Sequence, residues 1–139
     1  LLERVRPDGI LLTGGNDPAS CGGNAPERDE TDARLIEYSL DRSVPLFGVC
    51  RGMQSILLYF GGALERISGH VAVCHDVSGA ISRTVNSYHN WGARQTPSKL
   101  EVLARAADGV VEAISVKGRP IAGIMWHPER VSPFATIYD

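Results

Sequence analysis

The strongest chemical signal in the sequence is the stretch Gly48-Val49-Cys50-Arg51-Gly52-Met53-Gln54. An apolar run, Val44-Pro45-Leu46-Phe47, leads into it, and a helical pattern leads out. A cysteine with glycines two residues away on either side, between strand and helix, has the form of a nucleophile elbow, whose apex is a tight, strained turn. There Cys50 faces the amino end of the following helix, whose unpaired amides and partial positive charge favour thiolate over thiol. Cys50 is therefore expected to alkylate faster than Cys21 or Cys74. The same residues are also compatible with an inert cysteine buried in a glycine-rich turn, so the context has to decide.

That context lies far along the chain. Ile121-Ala122-Gly123-Ile124-Met125-Trp126 is apolar on both faces, as a central strand would be, and it ends in His127-Pro128-Glu129. Residues i and i+2 of an extended segment point the same way, and Pro128 holds the chain extended, so His127 and Glu129 can form one hydrogen-bonded pair. The result is a Cys-His-Glu arrangement: a thiolate, an imidazole to shuttle its proton, and a carboxylate to fix the imidazole tautomer.

The elements that must position these groups follow a βαβα pattern. Residues 9–13 form a short apolar run that reads as a buried parallel strand, ending in Gly14-Gly15. Such a glycine pair is either an ordinary turn or a small nest of backbone N–H groups for an anion. Residues 16–26, rich in Gly, Pro, Ser and Asn, read as a loop at the mouth of a site. Residues 28–42 predict an amphipathic helix, with Ala33, Ile36 and Leu40 inward and Asp32, Glu37 and Asp41 on a solvated face. A second helix follows the elbow, with Met53, Ile56, Leu57 and Phe60 as its packing stripe and Gly61-Gly62 as its stop. Gln54 lies one turn in, near the elbow, and could hold a polar substrate group or simply face solvent.

Beyond Leu64 the pattern turns to short strands at residues 71–74, 82–85, 100–106 and 110–116. Asp108-Gly109 between the last two is a strong hairpin signal. The polar and aromatic cluster Asn86-Ser87-Tyr88-His89-Asn90-Trp91-Gly92 lies among them. The expected fold is α/β: a three-layer sandwich with a mainly parallel central sheet extended by antiparallel hairpins.

With 139 residues, 43% hydrophobic and 22% charged, the chain reads as a single domain with a sizeable core. A net charge of -2 points to neither a nucleic-acid nor a membrane partner. Three irregularly spaced cysteines without C-x-x-C argue against a disulfide framework and a structural zinc site, and favour a reducing cytoplasm. No metal or cofactor is expected. No apolar run approaches the ~18 residues of a membrane helix, and no basic-then-apolar leader opens the chain. The chain begins at Leu1 without a methionine, as though midway along a helix, and residues 133–139 close it without a helix or cap, so both flanks are expected to be incomplete.

Taken together, G-V-C-R-G-M-Q and M-W-H-P-E resemble the nucleophile and His/Glu signatures of class I glutamine amidotransferases, with a flavodoxin-like fold. Arg51 after the cysteine, Arg28-Asp29-Glu30 and V-N-S-Y-H-N look more like the γ-glutamyl-γ-aminobutyrate hydrolase branch. N-S-Y-H-N with I-M-W-H-P-E-R resembles γ-glutamyl-CDP-amidate hydrolases within it. The resemblance implies that Cys50 attacks the γ-carbonyl of a γ-glutamyl amide and forms a thioester that water hydrolyses, with His127 and Glu129 moving the proton. It further implies an oxyanion hole from the N–H groups of Gly15 and Arg51, and contacts to the glutamyl amino and carboxylate groups from Gln54 and from the backbone around Ser87, Tyr88 and His89. The family's first strand and helix have no counterpart here. Arg51, Arg28 and Arg130 are candidates to meet a phosphate-bearing leaving group, or are surface ion pairs.

The favoured function is a self-contained cysteine hydrolase acting on a small-molecule γ-glutamyl substrate. The alternative is a glutaminase that passes ammonia to a synthetase partner. A non-hydrolytic redox or chaperone protein with a cysteine elbow would have no need of the His127-Glu129 pair.

Overall fold

The computed structural model describes residues 2–131; the sequence reading of residues 133–139 lies outside them. Three short apolar strands, β1 (Ile10–Leu12), β2 (Leu46–Val49) and β9 (Ile121–Ile124), pair in parallel with β2 in the middle. Their register sets Leu12 beside Gly48 and Val49 beside Ile124, so the ends of β2 and β9 lie level. Four antiparallel strands extend this trio in the order β8 (Val111–Val116), β7 (Leu100–Ala106), β4 (Val71–Gly79) and β5 (Arg83–Tyr88). A small separate ribbon joins β3 (Glu65–Arg66) to β6 (Trp91–Gly92).

The β7–β8 hairpin turns where Asp-Gly predicts. Gly109 takes a φ of 85°, and the Asp108 side chain accepts the Val110 N–H at 3.1 Å. Strand β4 runs well past residue 74, because its continuation through His75 and Asp76 interrupts the apolar pattern while pairing with β5. The antiparallel strands curl back on the parallel ones: Asn86, on the far edge strand β5, hydrogen-bonds to His127, just beyond β9.

Helices α2 (Pro26–Arg42) and α3 (Arg51–Tyr59) lie together on one face of the parallel strands, burying Ile36 from α2 and Met53, Ile56 and Leu57 from α3. Helix α3 sits unusually close to the sheet. A Cβ on Gly48 would lie 2.5 Å from the Gly52 carbonyl carbon, and one on Gly52 would collide with the Leu12 carbonyl oxygen. The elbow glycines are therefore required by helix-to-sheet contact as well as by the turn.

On the opposite face Leu11 is 60% exposed and Phe47 and Ala122 are half-buried. Helix α1 (Leu2–Val5) is a single turn with no buried residue, tied to the end of α2 by the Glu3–Arg42 ion pair at 2.7 Å. One helical assignment needs correction. Asp32, expected in solvent with Glu37 and Asp41, is 2% exposed, because it bonds to Arg28 and Ser55 beneath the helix.

Candidate active site

Parallel pairing brings the chemistry together. The Cys50 N–H donates to the Ile124 carbonyl at 2.7 Å, continuing the β2–β9 ladder by one step, so Cys50 and the segment leading to His127 emerge from neighbouring strand ends. Cys50 adopts φ 50° and ψ −101° at the cap of α3, a conformation that L residues with a side chain rarely occupy. Strain of this kind is held only where surrounding structure over-determines it, and here the close seat of α3 supplies the constraint.

His127 is buried, and its Nδ1 lies 2.6 Å from Glu129 Oε1. A carboxylate accepts, so Nδ1 carries the proton and Nε2 is left as the basic nitrogen. Desolvation would raise the Glu129 pKa, but the hydrogen bond from His127 overrides it and holds the carboxyl below its ordinary value. The His127 backbone is clamped as well: Asn86 accepts its N–H at 2.7 Å and donates to its carbonyl at 2.8 Å. Tyr88, on the same face of β5 as Asn86, stands edge-on to the imidazole at 5.8 Å between ring centres.

Cys50 departs from expectation. It is 6% exposed, and burial pushes its thiol up to about 11, although the Arg51 backbone N–H points at the sulfur and favours the thiolate. Helix polarity therefore loses to desolvation in the resting state. The thiol needs a base at the moment of attack, as nucleophiles paired with an imidazole do.

The Gly14-Gly15 loop runs alongside His127; a Cβ at Gly14 would come within 3.0 Å of the imidazole Cε1. Arg28 braces this loop from α2, donating to the Thr13 carbonyl at 2.8 Å and to Asp32 at 3.0 Å. Beside the loop a cleft of about 700 Å³ runs from His127, Glu129 and Arg130 onto the exposed sheet face at Leu11, Phe47 and Val49, and Cys50 is not among its lining residues. Arg130 lies over the Tyr88 ring at 4.3 Å.

Other predicted positions serve different contacts. The Arg51 guanidinium is 1% exposed and bonded to Asp29 and Ser55, with Asp32 at 3.5 Å, so it cannot meet a phosphate. Arg28 spends its Nε and Nη2 on Asp32 and Thr13 but is partly exposed, with Nη1 beside Gly15, so Arg28 and Arg130 are the two of the three that remain near the site. Gln54 is buried and donates to the Trp91 carbonyl at 3.0 Å. Ser87 and His89 face away from His127: the Ser87 hydroxyl donates to the His70 carbonyl at 2.8 Å, and the His89 ring approaches Glu112. Asn86 was missed by sequence reasoning, although its i, i+2 relation to Tyr88 along a strand was the available signal.

The sequence model of the glutamine amidotransferase class-I family matches residues 2–134. The chain is 34% identical to a γ-glutamyl-γ-aminobutyrate hydrolase of Escherichia coli O157:H7, over 93% of this chain and 67% of the relative. It is 35% identical to the γ-glutamyl-CDP-amidate hydrolase of Campylobacter jejuni, over 87% of this chain and 62% of the relative. It thus spans about two thirds of the length of these relatives. A glutamine amidotransferase structure from Thermotoga maritima shares the fold, with a TM-score of 0.71 and 17% identity over 86% of this chain and 56% of that one. No helix of the described residues is long and apolar enough to cross a membrane. The family match over nearly the whole chain, joined to a strained cysteine elbow level with the strand that delivers His127, means that the chain belongs to the class I glutamine amidotransferase family.

Proposed function

We propose that this domain hydrolyses a γ-glutamyl amide through a Cys50-His127-Glu129 triad. The observation that carries the reading is the His127–Glu129 hydrogen bond of 2.6 Å, which fixes the tautomer and leaves Nε2 as the base that a buried, protonated Cys50 requires. His127 Nε2 takes the thiol proton as sulfur bonds to the γ-carbonyl carbon. The carbonyl oxygen becomes an oxyanion facing the N–H groups of Arg51 and Gly15. Collapse breaks the C–N bond, and the imidazolium returns its proton to the departing nitrogen. Water, deprotonated by the same imidazole, then cleaves the thioester to give glutamate and the free thiol.

The names of the two hydrolase relatives support a leaving group larger than ammonia. So does the cleft beside His127, with Arg130 as a cation available to an anionic leaving group. The test is glutamate release by the purified protein from free glutamine and from γ-glutamyl amides with neutral, carboxylated and phosphorylated leaving groups. A larger anionic amide is expected to exceed glutamine by at least ~10-fold in kcat/KM, the worth of one well-made interaction. Equal or faster turnover of glutamine, with ammonia released, would favour an ammonia-supplying domain instead.

A further inference from the structure

Behind the candidate site, where the antiparallel strands curl, Glu112 of β8 is 0% exposed. Its Oε1 lies 3.1 Å from His70 Nδ1, 3.3 Å from His89 Nε2 and 3.6 Å from His75 Nε2. Neither Glu112 oxygen makes a hydrogen bond, and neither does the Nε2 of His75 or His89. A buried carboxylate among three imidazoles, with none of these hydrogen bonds made, is a costly arrangement unless something sits between them.

The outer faces of the rings say what that is. His70 Nε2 lies 3.0 Å from Asp108 Oδ2, and His89 Nδ1 lies 3.1 Å from the Trp91 carbonyl oxygen. Both partners only accept, so in the neutral rings those nitrogens carry the protons, and the lone pairs of His89 Nε2 and of His70 Nδ1, which has the Ser87 hydroxyl at 3.5 Å, are turned toward Glu112. Lone pairs facing a carboxylate repel; lone pairs converging on a cation bind it. Metal-bound histidines are held in this way, with the outer N–H donated to a carboxylate or carbonyl.

We propose that His70, His89 and Glu112 bind a divalent transition-metal ion, zinc by donor chemistry. The three donor atoms lie within 4.8 Å of one another. Tetrahedral zinc with bonds of ~2.0–2.1 Å places adjacent donors ~3.3 Å apart, and the two shortest nitrogen–oxygen separations here are 3.1 and 3.3 Å. Two imidazoles and a carboxylate form a three-ligand zinc donor set that leaves a fourth position for water. The ion would also tie the sheet to the candidate site, because the Trp91 carbonyl that orients His89 accepts Gln54 as well, at 3.0 Å. Cysteine spacing could not reveal this cluster, which contains no cysteine and assembles from three separate places in the chain.

The test is metal content by mass spectrometry of the purified protein, followed by chelation and titration with Zn²⁺ and Co²⁺. The expected result is one equivalent of metal, a higher melting temperature on Zn²⁺ return, and the intense visible bands of tetrahedral Co²⁺. Cys50→Ala should bind as the parent does, which separates this cluster from the thiol. Glu112→Gln and His89→Gln should lose most of the affinity, and Asp108→Asn, altered at an exposed outer partner, should lose ~10-fold or more. If burial of Glu112 prevents the first variant from folding, Asp108→Asn carries the same test. Absence of binding at micromolar Zn²⁺ would overturn the proposal, as would binding lost in Cys50→Ala but kept in His89→Gln. None of these readouts depends on amide hydrolysis, so failure here and failure of the proposed activity are separable.

Discussion

Replacing Asn86 with leucine tests how far the imidazole depends on the edge strand that curls back to reach it. Leucine keeps the branching of the side chain and is bulkier, so no water gains room to substitute, while both hydrogen bonds to the His127 backbone, at 2.7 and 2.8 Å, are lost. The His127 N–H and carbonyl are buried with the residue, and an unpaired buried group costs ~1–3 kcal/mol, so the pair together should lose ~2–6 kcal/mol of stability. Asn86→Asp keeps the acceptor for the N–H but sets oxygen against the His127 carbonyl, and should fall between parent and leucine variant. Stability is read from urea unfolding, and activity from kcat/KM at a temperature where each variant is folded. Displacement of His127 by a fraction of an ångström to ~1 Å should lower kcat/KM ~10- to 100-fold. A loss below ~0.5 kcal/mol, the range of ordinary surface changes, or an unchanged kcat/KM would show that His127 is held by Glu129 and packing alone.

Cys50→Ala should remove turnover and leave folding near parental; more than a tenth of parental activity would reject Cys50 as nucleophile. With its thiol at about 11, Cys50 should react with iodoacetamide at neutral pH more slowly than exposed Cys74, and its rate should climb through the alkaline range instead of levelling near pH 7. The sign for stability follows: above the ordinary value of 9.0 the unfolded thiol ionises while the folded one keeps its proton, so Cys50 costs stability between pH 9 and about 11, and Cys50→Ala should lack that loss. Gly52→Ala should lose at least ~3 kcal/mol or fail to fold, because its Cβ meets the Leu12 carbonyl, which is backbone and cannot turn aside; a soluble variant with parental urea midpoint would contradict the close seat of α3.

What the sequence revealed was local. The elbow could be read because the chemistry of G-x-C-x-G is contained in five neighbours, and the His127–Glu129 pair because the two residues are only two apart, although the structure joins them across a single 3-10 turn, Pro128–Arg130, and not along the extended segment that alternation predicts. The β7 strand, Leu100–Ala106, and its Asp-Gly turn were legible for the same reason. What escaped notice depended on partners distant in sequence. Asp32 looks solvated on a helical wheel and is buried only because Arg51 and Ser55 lie beneath it. The Cys50 thiol looks activated by its helix until the depth of its burial is known. The Ser87 and His89 side chains are occupied by the His70 carbonyl and by Glu112, contacts from distant parts of the chain that leave only their backbone free to serve the site.

The Arg51 side chain has a consequence for how this sequence can change over time. Its guanidinium is held by Asp29 and Asp32 of α2 and by Ser55 of its own helix, beneath the residue whose N–H faces the sulfur. Removing one member of a buried ion pair strands the other at ~3–5 kcal/mol, whereas exchanging the whole group for apolar residues is often neutral. The dependence is one-sided, since Asp32 also pairs with Arg28 at 3.0 Å and Asp29 reaches solvent, so loss of an acid beneath a retained Arg51 is the disfavoured step while concerted change stays open. Across related sequences arginine at position 51 should come with its acids, and frequent arginine without both acids would contradict that linkage.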